Sequence, residues 1–163
     1  MLHKNTSSAE QSTVEVEIQI LPDATDFDIP CYATEFIAGV DLRAAVEVLL
    51  EPSCRVLIPT GIAIALPKGF EAQIRSRSGL AYKNGVVVLN SPGTIDADYR
   101  GQIKVCLANL SDQSFTIKRG DKIAHMIVAK HEKIDFKIVE TLDQTKRSDG
   151  GFGSTGRDNC FLA

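Results

Sequence analysis

The sequence predicts an all-β domain, a sandwich or barrel of the jelly-roll kind, assembled from many short strands. Three observations point there. Apolar residues recur with period two or in short solid runs; Gly and Pro interrupt those runs at close intervals; and no segment of helical length carries a 3.6-residue apolar stripe. The chain has 163 residues, 44% of them apolar, which suits one domain whose core needs neither a metal nor a disulfide framework.

Taken in order, residues 1–13 are polar, rich in Ser and Thr and without periodicity, so they are expected as a disordered lead-in. A single β domain is then expected over 14–146. Residues 14–20 alternate apolar and polar side chains, as a half-buried strand does. Runs at 46–50, 55–58, 61–66 and 70–74 follow, separated by Pro52, Pro59 and the Pro67-Lys68-Gly69 turn. Val86-Val87-Val88-Leu89 reads as a buried strand that ends at Asn90-Ser91-Pro92-Gly93, and 86–104 is expected as a hairpin. Strands over 102–110, 114–118, 123–129 and 136–139 complete the set. The best helix candidate is a short turn at 80–84. Such a fold presents few helix N-termini, so a bound anion must be held by loops and arginines.

The last segment, 147–163, opens Arg147-Ser148-Asp149-Gly150-Gly151-Phe152-Gly153-Ser154, too rich in glycine to hold itself rigid. Composition alone reads it as a disordered tail. Arg147 and Phe152 also fit a flexible arm that closes over a ligand, one supplying charge for phosphate and the other a ring to stack.

Composition excludes several classes of function. With 24% charged residues, a net charge of −3 and no block of like charge, no basic face for nucleic acid is expected. An anionic ligand would be small and captured by a few placed arginines. Cys31, Cys54, Cys106 and Cys160 form no Cys-x-x-Cys pair, and His3, His125 and His131 stand at no ligand spacing from them. Inert thiols in a reducing compartment are expected. No run approaches a membrane span and the start lacks the pattern of a signal peptide, which predicts a cytoplasmic protein with no membrane partner.

Four further segments carry candidate chemistry. In Ala38-Gly39-Val40-Asp41-Leu42-Arg43-Ala44, Asp41 and Arg43 read equally as a surface ion pair on a strand. Arg75-Ser76-Arg77-Ser78-Gly79-Leu80 offers guanidinium, hydroxyl and backbone N–H groups suited to phosphate oxygens, without the spacing of a Walker loop. Around Asn90, the pair Asp96 and Asp98 with Tyr99 is open to three readings: a metal site, a general base, or solvated charge on a turn. Arg119-Gly120-Asp121-Lys122-Ile123-Ala124-His125 reads as a turn that opens a strand.

Together and in this order, these segments and the terminal Gly-Gly-Phe-Gly-Ser-Thr-Gly resemble the five motifs of the trimeric dUTP pyrophosphatases, from about Val14 to Gly156. The resemblance implies a distorted jelly-roll subunit in a homotrimer with active sites at subunit interfaces. It implies hydrolysis of dUTP to dUMP and pyrophosphate by water attack at the α-phosphorus, with Mg²⁺ on the triphosphate, supplying dUMP for thymidylate synthesis. In these terms Asp96 is the general base. Asp41 supports the metal indirectly, through water or an arginine. Arg77, Ser78 and Gly79 hold the triphosphate from a neighbouring subunit. Asn90, Thr94, Ile95 and the strand near Lys104 read uracil, and Tyr99 packs under the deoxyribose. Phe152 stacks on the base while Arg147, Gly153 and Ser154 close on the γ-phosphate.

Two features depart from the pattern. His125 stands where the family usually has glutamine. In a regular strand Asp96 and Tyr99 would point to opposite faces, so the chain must bend between them. Two other readings stay open: a dCTP deaminase of the same fold, which would need a glutamate near the base where 86–104 has none, and a non-catalytic trimeric nucleotide-binding β module.

Overall fold

The structure is a computed structural model and describes residues 13–151. The chain divides after Glu132 into two compact units. In the first, the described residues form eleven strands: β1 (Glu17–Ile20), β2 (Val40–Arg43), β3 (Val48–Leu50), β4 (Arg55–Pro59), β5 (Ile62–Ala65), β6 (Phe70–Ser76), β7 (Val86–Val88), β8 (Gly93–Ile95), β9 (Lys104–Asn109), β10 (Phe115–Ile117) and β11 (Lys122–Lys130). One helix, α1 (Ser78–Asn84), and a 3-10 turn, Pro22–Ala24, complete it. All described pairings are antiparallel. The sheets run β2-β11-β6-β8, β4-β9-β7, β1-β5 and β10-β3.

Alternation decides which side chains enter the core. On β6, Ala72 and Ile74 are buried while Arg75 between Ile74 and Ser76 is exposed. On β9, Val105 and Leu107 turn inward and Lys104 outward. These inward positions join Leu42, Leu50, Ile58, Ile62, Val86, Ile117 and Ile123 in one buried apolar cluster fed by every sheet. Removing water from this surface is the main force that holds the strands together.

The all-β expectation is met, with four differences in detail. First, α1 begins two residues before the expected turn, so Ser78 and Gly79 form its first turn rather than a loop. It ends at Gly85, whose left-handed backbone (φ 67°) closes the helix with its N–H on Ala81 O at 3.2 Å. Second, β8 is a strand in its own right, while β2 meets the reading of Asp41 and Arg43 as strand residues. Third, 86–104 is not a simple hairpin: β7 pairs with β9 and β8 with β6, so the chain changes sheet between Val88 and Gly93. Fourth, 136–139 is not a strand. In the second unit the described residues form no strand or helix, and Phe136 and Ile138 are 84% and 97% exposed. Alternation alone cannot make a strand without a neighbour to complete its hydrogen bonds.

Cys31 and Cys54 are exposed and Cys106 is half-buried, all three as free thiols. No described helix is long and apolar enough to cross a membrane.

Candidate active site

The first constellation grows from the edge strand β2. Its entry requires Gly39: a Cβ there would lie 2.8 Å from Ile127 Cγ1 and 3.0 Å from Met126 O, so any side chain would push β2 off β11. With β2 seated, Asp41 stands opposite His125 of β11, which stands opposite Arg75 of β6. The register of β2 on β11 shifts between Lys122 and Ala124. Such a bulge re-aims side chains and interrupts the ladder. Here Lys122 Nζ reaches Asp41 Oδ2 at 2.7 Å, and Lys122 O accepts a hydrogen bond from Arg77 Nη1 at 2.8 Å.

Asp41 thereby gathers three side chains, two of them cationic. Besides Lys122, Arg77 Nε lies 3.2 Å and His125 Nε2 3.0 Å from its Oδ1. The Arg77 approach is an ion-pair contact without hydrogen-bond alignment, since both atoms are buried and neither has an aligned partner. Burial pushes the Asp41 carboxyl up. The Lys122 hydrogen bond and the charges of Arg77, Lys122 and His125 outweigh it and hold the group below the usual carboxylate range.

Arg77 leads directly into the first turn of α1, whose opening N–H groups have no acceptor within a helix. A Cβ on Gly79 would meet nothing within 4 Å, so the surface beside Ser78 stays open. A cavity of about 410 Å³ is lined by Arg43, Arg77 and Lys122, with Asp121 and four apolar residues beside them. Three cations against one carboxylate leave its polar part net positive.

The second constellation follows β8. Tyr99 N–H donates to Asp96 O at 3.1 Å, closing a four-residue turn from Asp96 to Tyr99. The chain bends here, and both side chains line one cavity of about 360 Å³ with Leu57, Thr94, Ile95 and Lys104. Arg100 Nη1 braces the turn, donating to Ala97 O at 2.7 Å and Tyr99 O at 2.8 Å. The hydroxyl end of the Tyr99 ring closes on Gly101, where a Cβ would be 2.7 Å from Cζ, and the hydroxyl donates to Gln102 O at 3.0 Å. Asn90 does not line this cavity; its Nδ2 lies over Gly93, 3.1 Å from where a Cβ would be.

The two constellations sit at opposite corners of one sheet. Asp41 shares a row with Arg75, whereas Ile95 shares one with Ala72, and β2 and β8 are the two edges. Three residues along a strand and three strand spacings across place Asp41 and Ile95 roughly 17 Å apart. Arg77 turns its side chain toward Asp41, away from Asp96.

In the second unit, Arg147 Nε donates to Gly150 O at 2.8 Å within a local turn. Phe152, Gly153 and Ser154 lie outside the described residues. Lys122 entered the sequence reading only as part of a strand-opening turn, and Arg100, Gly101 and Leu57 were not singled out. The signal at Leu57 is an apolar residue between Val56 and Ile58, both of which the structure turns toward the core.

Among the described residues no three His, Cys, Asp or Glu side chains converge as a metal cage. The donor set present is one carboxylate among cations. It fits a magnesium ion carried by phosphate oxygens and touched through water, because that ion commonly keeps several waters and one carboxylate beside the phosphates.

Fold and site define an all-β protein with a cation-ringed carboxylate suited to phosphate and, apart from it, a small cavity of mixed polarity. The chain belongs to the dUTPase family, whose model matches residues 25–156. It is 56% identical over 144 residues to the deoxyuridine 5'-triphosphate nucleotidohydrolase of Neorickettsia sennetsu, covering 87% of this chain and 97% of that one. To the protein of the same name from the Wolbachia of Brugia malayi it is 53% identical over 152 residues, covering 91% and 97%. Among solved structures, a point mutant of the Staphylococcus bacteriophage 80alpha dUTPase with dUpNHpp matches with a TM-score of 0.80 at 25% identity, over 88% of this chain and 99% of that one. A mutant dUTPase of the S. aureus phage phi11, described with a structural Mg(II) ion, shares the fold at a TM-score of 0.72 and 24% identity, over 80% and 99%.

Proposed function

We propose that the protein hydrolyses dUTP to dUMP and pyrophosphate in the cytoplasm, as a homotrimer whose active sites lie between subunits. Family membership and the names of relatives more than half identical support the reaction. The observation that carries the site is the Asp96–Tyr99 turn, which puts a carboxylate and an aromatic ring on one small cavity.

The base enters this cavity, where Thr94, Ile95 and the start of β9 at Lys104 offer the groups that read uracil. Asn90 is assigned to the base with them, its Nδ2 lying beside Gly93 at the start of β8. Against cytosine, the same buried groups would go unpaired, each costing about 1–3 kcal/mol. Tyr99 packs under the deoxyribose. Asp96 accepts the proton of the water that attacks the α-phosphorus. Arg77, Ser78 and Gly79 hold the phosphates. Because Arg77 faces away from Asp96 across the sheet, they act on nucleotide bound at a neighbouring subunit's Asp96. Asp41 orients Arg77 and would support a magnesium ion through water. Bound with the triphosphate, that ion would supply positive charge against the pyrophosphate leaving group. Arg147, Phe152, Gly153 and Ser154 are assigned to the base and γ-phosphate on the family resemblance, the last three lying outside the described residues.

Magnesium-dependent pyrophosphate release from dUTP, with dTTP, dCTP and UTP as controls, tests this reading. Release from dUTP far above the controls is expected. Ammonia from dCTP without pyrophosphate from dUTP would establish a deaminase instead, and tight dUTP binding without turnover a non-catalytic module.

A further inference from the structure

We propose that Leu57 is a specificity-determining residue, the wall that closes the base cavity against a substituent on C5 of the pyrimidine. This rests on the dUTP reading above and adds a residue from β4, outside the segments that carry the family resemblance.

On β4, Val56 packs against the core and Ile58 is buried, whereas Leu57 points out and is 55% exposed. An outward strand position beside solvent ordinarily takes a polar side chain. Leu57 instead lines the cavity with Thr94, Ile95, Asp96, Tyr99 and Lys104. Four of those six residues bring polar groups. The apolar surface comes from Leu57 and Ile95, and Ile95 is partly sunk against the core while Leu57 is no part of it. Leu57 is therefore the more prominent apolar surface facing the cavity.

Uracil matches this division of the lining. One edge carries O2, N3–H and O4; the other carries only C5–H and C6–H. The polar groups take the first edge, which leaves the second to the leucine. Covering Leu57 with that edge removes apolar surface from water on both sides. Position C5 is where thymine carries a methyl group, and a leucine already in contact leaves that group no room.

Kinetics on the full chain with dUTP, 5-fluoro-dUTP, 5-bromo-dUTP and dTTP test the assignment. In the wild-type protein kcat/KM should fall steeply as the substituent grows. Leu57→Ala should flatten the series and raise the dTTP-to-dUTP ratio of kcat/KM by about 10- to 100-fold, the effect of one methyl-sized contact. Discrimination against dCTP, which lies on the polar edge, should not change. Leu57→Met should keep the wild-type series. An unchanged dTTP-to-dUTP ratio in folded Leu57→Ala would overturn the proposal, as would an equal loss of dCTP discrimination, which would mean general loosening. If Leu57→Ala does not fold, the same ratio in Leu57→Val decides, an intermediate value supporting the proposal and an unchanged one overturning it. A wild-type protein that released no pyrophosphate from dUTP would refute the reaction instead. Leu57 would then be judged by the binding ratio of the α,β-imido analogues of dTTP and dUTP.

Discussion

Asp41 illustrates how much one side chain can organise. Its carboxylate joins Lys122 and His125 of β11 and Arg77 at the entry to α1. Replacing it with asparagine would leave those cations without their shared counter-charge. Since the partners are about one-third to two-fifths exposed, water screens part of the loss, and Asp41→Asn should cost about 1–2 kcal/mol in denaturant unfolding at neutral pH. The pH dependence has a definite sign. The folded carboxyl titrates below its unfolded value, so its contribution is complete above about pH 4 and disappears as pH falls through the depressed folded pKa. The gap between wild type and Asp41→Asn should therefore close in acid; a gap that persisted there would argue against the charge cluster as its cause. Asp96 has a different role, and Asp96→Asn should lower kcat about 10²- to 10⁴-fold while leaving the affinity for dUpNHpp unchanged. Near-normal turnover in that variant would remove Asp96 as the base. Asp41, Arg77 and Asp96 were legible because their neighbours in sequence form motifs. Lys122 was not, because a bulge depends on the register of two strands far apart in the chain.

The turn from Asp96 to Tyr99 is the element on which the cavity depends. A regular strand would send the two side chains to opposite faces; the hydrogen bond from Tyr99 N–H to Asp96 O and the brace from Arg100 bring them to one cavity. The hydroxyl end of the Tyr99 ring can sit where it does only because residue 101 has no side chain. Gly101→Ala should displace the ring and lower kcat/KM for dUTP about tenfold or more, by misplacing the sugar. Stability should change little, because the ring is 41% exposed. Circular dichroism melting beside steady-state kinetics separates the two effects, and an unaltered kcat/KM would show that the ring position does not matter. Strands such as β6 and β11 could be read from alternation and apolar runs because they are long enough to show it. β8 has three residues beginning with glycine, and β2 carries two charges in four, so neither shows a strand pattern by itself. Residues 136–139 show the converse, a strand pattern to which the described residues give no ladder partner.

At the scale of the whole molecule, the sheet register makes the strongest demand. Asp96 follows one edge of the four-stranded sheet, while Asp41 lies on the other edge and Arg77 turns toward it. Under the proposed reading, a single chain does not bring its own base and its own phosphate clamp to one α-phosphorus, and a neighbouring subunit would supply the clamp. The all-β class was legible from composition and punctuation alone, but this separation was not, because it follows from which strands neighbour which. The direct test is to mix two inactive variants, Asp96→Asn and Arg77→Ala, under conditions that exchange subunits, and to measure pyrophosphate release from dUTP. With each site built from two subunits, random mixing should restore about one quarter of wild-type activity, since that fraction of sites pairs an intact Asp96 with an intact Arg77. Mixed trimers that stayed as inactive as either parent would contradict a site shared between subunits.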